Sequence, residues 1–183
     1  MKYVVTGGRG FIGSHFVEKA LERGDTVIDI DKMSYASHKK LPWDKHHKYT
    51  LIKKDISEIL HLPSCDILIN FAAESHVDNS IRLSEPFVKS NILGVHNLLE
   101  LLRGKPDYDR PLFFHISTDE VYGDRNKGSF TEFDILKPSN PYSGTKAAAE
   151  MLVNSYNHSF NLPIIITRGN NVESLGSRFK IFN

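Results

Sequence analysis

Cysteine is nearly absent: Cys65 is the only one in 183 residues. No disulfide can form within the chain, which excludes a disulfide-stapled secreted scaffold and suits a reducing compartment. Cys65 has no histidine at a recognisable spacing, so it reads as a small buried filler rather than a nucleophile. Long apolar runs are also missing. The N-terminus enters directly on "KYVVTGG", too short for a signal peptide or a membrane span, and no later segment is long enough to cross a bilayer. Neither sign of charge dominates. The net charge of +1 removes the electrostatic case for nucleic acid or an anionic membrane as partner. Lys39, Lys40, Lys45, Lys53 and Lys54 are local basic spots of the kind solvated faces carry. There is no internal repeat and no low-complexity stretch. What is left is ordinary globular composition, 40% hydrophobic and 25% charged, expected of one sizeable cytoplasmic domain.

Short apolar runs alternate with longer helical patterns. Strands are expected at Lys2–Thr6, Thr26–Ile30, Tyr49–Lys53, Ile67–Phe71, Leu112–Ser117 and Ile164–Thr167. They are nearly continuous apolar runs, as strands covered on both faces require. Helices are expected at Phe11–Arg23, Ser84–Arg103 and Pro141–Phe160. The last can be capped by Ser139 or Asn140, with Pro141 suited to its first turn. The alternation predicts βαβ units and an α/β fold: a Rossmann-like doubly wound parallel sheet with helices on both faces. Residues 34–48 are polar and read as loop. His38, His46 and His47 lie there without a carboxylate or thiol spacing that makes a metal site, and no metal is expected.

The first strand runs into "TGGRGFIGSH", where Gly7, Gly10 and Gly13 keep a three-residue spacing. A strand before and an amphipathic helix after give that pattern its meaning. Glycines allow a tight turn and close approach to a pyrophosphate, and the helix start supplies free N–H groups. The second strand ends at Asp31, where a carboxylate can accept from an adenosine ribose diol and repels the extra phosphate of NADP. NAD is therefore the expected cofactor. Asp29 shares the strand face as a weaker choice. Asp55 reads either as an adenine neighbour or as a turn residue.

Two further stretches carry chemistry. "PYSGTKAAAE" places Tyr142 and Lys146 on one face of a helix. A tyrosine is a poor base at its ordinary pKa near ~10, and a neighbouring ammonium, with the positive end of a nicotinamide ring close by, is expected to lower it. "FFHISTDEVYGD" starts as a buried strand and runs into Thr118, Asp119 and Glu120. Two adjacent carboxylates at the end of a core strand need a solvated turn, partners or a function.

Taken in order, "TGGRGFIGSH", "DKMSYAS", "NFAAESHVDNSI", "STDEVYG" and "NPYSGTKAAAE" resemble the extended short-chain dehydrogenase/reductase family. More narrowly, they resemble its nucleotide-sugar 4,6-dehydratases of the dTDP-glucose type. The resemblance covers about residues 1–172. It implies that Tyr142 takes the proton of the sugar 4-hydroxyl while hydride from C4 goes to NAD. Lys146 tunes Tyr142 and holds the nicotinamide ribose, and Thr118 bonds the 4-oxygen. Glu120 takes the C5 proton, Asp119 protonates the departing 6-hydroxyl, and hydride returns to C6. Gly7, Gly10, Phe11, Ile12, Gly13, Asp31, Asp55, Ile56, Ala72 and Ala73, with Tyr142 and Lys146, are implied to contact the cofactor, with Asn70 nearby. Glu74, Ser75, His76, Thr118 and Asn171 are implied on the substrate side, with Asp78 in the same stretch. Asn91 is implied to brace the active-site backbone.

Relatives of this type continue after "TRGNNV" with Tyr-Gly-Pro and a substrate-binding domain. Here the residues are "ESLGSRFKIFN". The expectation is one NAD-binding domain over 1–183 that carries the catalytic residues, with the substrate domain absent from this chain. A homodimer, or a partner chain supplying the missing lobe, would complete it. The alternatives to a dehydratase are a non-catalytic or partner-dependent NAD- or nucleotide-binding module, and a nucleotide-sugar epimerase or decarboxylase of the same fold. The Asp119–Glu120 pair favours dehydration.

Overall fold

The computed structural model describes residues 1–170 and Val172. Six strands, β1 (Lys2–Thr6), β2 (Thr26–Ile30), β3 (Tyr49–Ile52), β4 (Ile67–Asn70), β5 (Leu112–Thr118) and β6 (Ile164–Gly169), form one sheet. All neighbours pair in parallel, in the order β3-β2-β1-β4-β5-β6. The helices are α1 (Phe11–Glu22), α2 (Val77–Arg82), α3 (Glu85–Phe87), α4 (Gly94–Arg103) and α5 (Pro141–Phe160).

Strand β1 shows why the strands read as unbroken apolar runs. Successive side chains point to opposite faces, yet Val4 and Val5 are both fully buried. Val4 joins Leu68 and Phe113 against Leu98, Leu99 and Leu102 of α4 and Ala149 and Val153 of α5. Val5 joins Val27 and Ile69 against Val17, Ala20 and Leu21 of α1. Helices therefore cover both faces, and the sheet is doubly wound as expected. Because β1 lies between β2 and β4, the strand order reverses there. That opens a crevice outside the carboxyl ends of the strands, the place where open α/β sheets bind ligands.

The structure corrects the expected helix at Ser84–Arg103. It contains α3, a π-helical stretch Val88–Leu93, and α4. Apolar spacing alone does not distinguish a wide turn from an α-turn, because both keep residues on one side. Helix α2 and the 3₁₀ turn Asp119–Tyr122 are too short to show a period and were not expected. Residues 34–48 form turns, and Cys65 is half-buried, with burial pushing its thiol up to about 11. Among the described residues no helix is long and apolar enough to cross a membrane, and no group of three His, Cys, Asp or Glu could hold a metal ion.

Candidate active site

The glycine loop lies at the carboxyl end of β1. Gly7 has φ 71°, and a Cβ there would meet the Ala72 nitrogen at 2.7 Å. A Cβ on Gly13 would collide with the Gly7 carbonyl. The loop is thus pressed against the segment after β4, and only glycine permits it. No side chain caps α1 at Gly10, and no acidic residue lies in its first turn, which holds Phe11, Ile12 and Gly13. The helix start therefore keeps donors and partial positive charge for an anion.

An open groove runs along this end of the sheet. Gly7, Gly10, Asp31, Asp55, Ile56, Ala72 and Ala73 line it, together with Lys32, Ser34, Ser37 and Ser90. The Asp31 carboxylate accepts from Arg9 N at 3.0 Å, Met33 N at 2.7 Å and Ser37 Oγ at 2.8 Å. A carboxylate has roughly four acceptor sites, so one remains for a hydroxyl, and its charge still opposes a phosphate. Asp29, the weaker choice, is fully buried and occupied elsewhere: it accepts from Gly8 N at 2.9 Å and Tyr49 Oη at 2.8 Å. Asp55 both lines the groove and caps its own turn, accepting from Ser57 N and Oγ. These residues fit a dinucleotide with a free adenosine ribose diol.

The second cluster sits where β5 ends and α5 begins. Asn140 caps α5 through a reciprocal box with Ser143, with Pro141 in the first turn. The cap side chain also donates to Glu120 Oε2 at 3.2 Å, tying the helix start to a carboxylate. Tyr142 is buried, and its backbone N–H donates to Ser80 Oγ. Thr118 accepts from Glu120 N and donates to Asp119 Oδ1 at 3.4 Å, and its hydroxyl lies close enough to the Tyr142 phenol to lower its pKa. Phenol, hydroxyl and both carboxylates thus converge.

Among the protein's own groups, burial pushes the Tyr142 pKa up to about 12, and the Glu120 and Asp119 charges add to that; the Thr118 hydroxyl opposes them. Lys146 donates to the Ile116 carbonyl at 2.6 Å. Burial lowers its own pKa to about 8, against the attraction of Glu150.

The substrate-side expectations are dispersed, with Thr118 in the cluster at the end of β5 and Glu74, Ser75 and His76 after β4. Glu74 pairs with Lys32 at 2.7 Å, while Ser75 and His76 are exposed at the start of α2. Asn91, in the π-helical stretch, accepts from Glu74 N and donates to Glu74 O, both at 2.9 Å, and reaches Thr145 Oγ1. Asn171 lies outside the described residues.

Sequence reading missed Arg9. Its side chain is 2% exposed and bonds the His38 carbonyl, Asp44 and Tyr49 Oη, stitching the 34–48 loop to the glycine loop. Its position inside the glycine motif was visible; its partners, far along the chain, were not. Lys32 and Ser90 were missed for the same reason, as was the bond from the expected cap residue Asn140 to Glu120.

Among curated relatives, the chain is 44% identical over 175 residues to the low-salt glycan biosynthesis protein Agl12 of Haloferax volcanii, covering 92% of this chain and 56% of that one. The structure resembles DesIV, a dTDP-glucose 4,6-dehydratase of Streptomyces venezuelae solved with NAD bound, at TM-score 0.83 and 36% identity, covering 92% of this chain and 55% of that one. It also resembles a UDP-glucuronic acid 4-epimerase of Bacillus cereus, solved with UDP-glucuronic acid and NAD, at TM-score 0.82 and 31% identity, covering 92% and 56%. The chain spans about half the length of the curated relatives it matches. The family model described as GDP-mannose 4,6 dehydratase matches residues 4–181, nearly the whole chain, and this protein belongs to that family.

Proposed function

We propose that this chain is the NAD-binding and catalytic half of a nucleotide-sugar 4,6-dehydratase that converts dTDP-glucose or UDP-glucose to the 4-keto-6-deoxy sugar. The observation that supports it most is the convergence of Tyr142, Thr118, Asp119 and Glu120 at the end of β5. Gly7, Gly10, the first turn of α1, Asp31, Asp55, Ile56, Ala72 and Ala73 would hold the dinucleotide, with Lys146 on its nicotinamide ribose. When bound, NAD takes hydride from C4 and returns it at C6.

The chain's own groups handle the protons. Tyr142, steadied by Thr118, takes the proton of the 4-hydroxyl. With its value held at about 12 by burial, the phenol needs a cation to become a base. Lys146, one helical turn along the same face, is the cation available. The 4-keto group acidifies C5; Glu120 takes that proton, and Asp119 gives one to the 6-hydroxyl as water leaves. Glu74, Ser75, His76 and Asn171 are the substrate-side contacts of this reading. Inversion at C4, the reaction class of the epimerase neighbour, has no use for this second acid–base pair.

The test is incubation with NAD and each sugar nucleotide, reading the alkaline absorbance of a 4-keto sugar. A folded, NAD-bound sample silent with both would sink the reading for this chain alone and leave the binding-module alternative. Glu120→Gln should stop solvent deuterium entering C5 while sparing some C4 oxidation, and Tyr142→Phe should stop oxidation itself.

A further inference from the structure

Strands β2 and β4 flank β1 and do not touch, and neighbouring strands lie ~4.8 Å apart, so their ends are separated by roughly 10 Å. Thr6 at the end of β1 pairs with Ile30 on one side and Asn70 on the other. Lys32 and Glu74 lie just beyond those two residues, yet their charged ends close to 2.7 Å. The ion pair therefore spans from the β2 side of the crevice to the β4 side, and Lys32, with Ser90, is part of the groove lining.

We propose that Lys32 and Glu74 form a latch across the cofactor groove, one that must open for the dinucleotide to enter or leave. The two halves are built differently. Glu74 is on a fixed post, because Asn91 holds both its backbone N–H and its carbonyl. Lys32 is the moving arm: a long flexible side chain, 34% exposed, whose Nζ also reaches Ser90 Oγ at 3.4 Å. Its release needs only rotamer changes, with no strand displaced. The latch rests on the dehydratase reading for its purpose. A reaction that removes hydride at C4 and returns it at C6 gains from a cofactor that stays between the two steps.

The test reads NAD dissociation from the full chain by stopped-flow, with no sugar nucleotide present. Lys32→Met and Glu74→Gln should each speed release about fivefold, the worth of one partly exposed ion pair. The double variant should release no faster than either single one, because the two residues act as a unit. Added salt should speed release from the unaltered chain and leave Lys32→Met unchanged. If Glu74→Gln releases NAD at the original rate, or the two effects multiply, Lys32 acts on the dinucleotide by itself and the latch is wrong. Should Glu74→Gln fail to fold, the salt comparison with Lys32→Met decides. A chain that binds no NAD at all would remove the cofactor reading as well; one that binds NAD with release unaffected removes the latch only.

Discussion

Asn91 brackets a single residue of another segment: its carboxamide oxygen accepts from the Glu74 N–H and its nitrogen donates to the Glu74 carbonyl, both at 2.9 Å. One buried side chain thus replaces two backbone partners that a strand would have supplied. Asn91→Ala leaves both groups without them. We expect a loss of about 2 kcal/mol, seen as a lower denaturation midpoint with unchanged m-value. Asn91→Asp, which buries a carboxylate with no cation and sets it against the Glu74 carbonyl, should cost more than Asn91→Ala.

Lys146 is a liability to the fold. Its only hydrogen bond among the described residues is to the Ile116 carbonyl, and burial depresses its pKa to about 8. A depressed lysine makes the folded form bind fewer protons than the unfolded chain between that value and its ordinary one near ~10.4. Its contribution to stability therefore rises with pH from about 8 to 10.4. Lys146→Met should raise the melting temperature at pH 7 and flatten that rise, while removing turnover in a full enzyme. A melting temperature that drops at pH 7 would contradict this account.

Asp29 gives the opposite slope. Burial first, helped by the Asp31 charge, pushes its carboxyl up to about 7, against bonds from Tyr49 and Gly8. The folded chain holds a proton that the unfolded chain loses near ~3.9. The stability this contributes is complete below that value and is lost as pH rises through about 7. Asp29→Asn keeps an acceptor for Gly8 and should abolish the decline, as followed by melting temperature from pH 4 to 7.

Glu150 has no exposed surface, and Arg168 bonds both its oxygens from β6. Arg168→Ala leaves that carboxylate buried without its cation. The expected loss is about 3–5 kcal/mol, measurable by urea denaturation. Adding Glu150→Gln should recover much of it, because the neutral amide is far less costly to bury.

Much of this architecture was legible in the sequence because it rests on short-range signals. The runs "KYVVT", "TVIDI" and "LFFHIST" announce strands buried on both faces. The glycine spacing announces the turn that Gly7 and Gly13 make. Tyr142 and Lys146 announce themselves by helical spacing, and the carboxylates by their cost at a strand end. The partners of the groups that steady them were not legible, although Asn140 was expected as a cap and Asn91 was implied by resemblance as a brace. Asn91 with Glu74, Arg9 with Asp44, and Asn140 with Glu120 are 17 to 35 residues apart. Their pairing is decided by how helices and loops fold back over the sheet, which a local pattern does not encode. The burial of Tyr142 and the carboxylate charges that raise its pKa were not legible either, because the helical spacing points only to Lys146.

The π-helical stretch at Val88–Leu93 carries a consequence for how this chain tolerates length changes. A wide turn is one residue accommodated in an otherwise α-helical rod. Removing any residue of that stretch would let the rod close into regular α-helix, and the helix itself would gain. Because the wide turn already absorbs the extra residue, the segments on either side would keep nearly the same relative rotation, whereas a deletion in the regular turns of α4 would rotate them by ~100°. One residue fewer in the wide turn is thus the length change this rod can best absorb, provided that the residue lost is not Asn91, which holds Glu74.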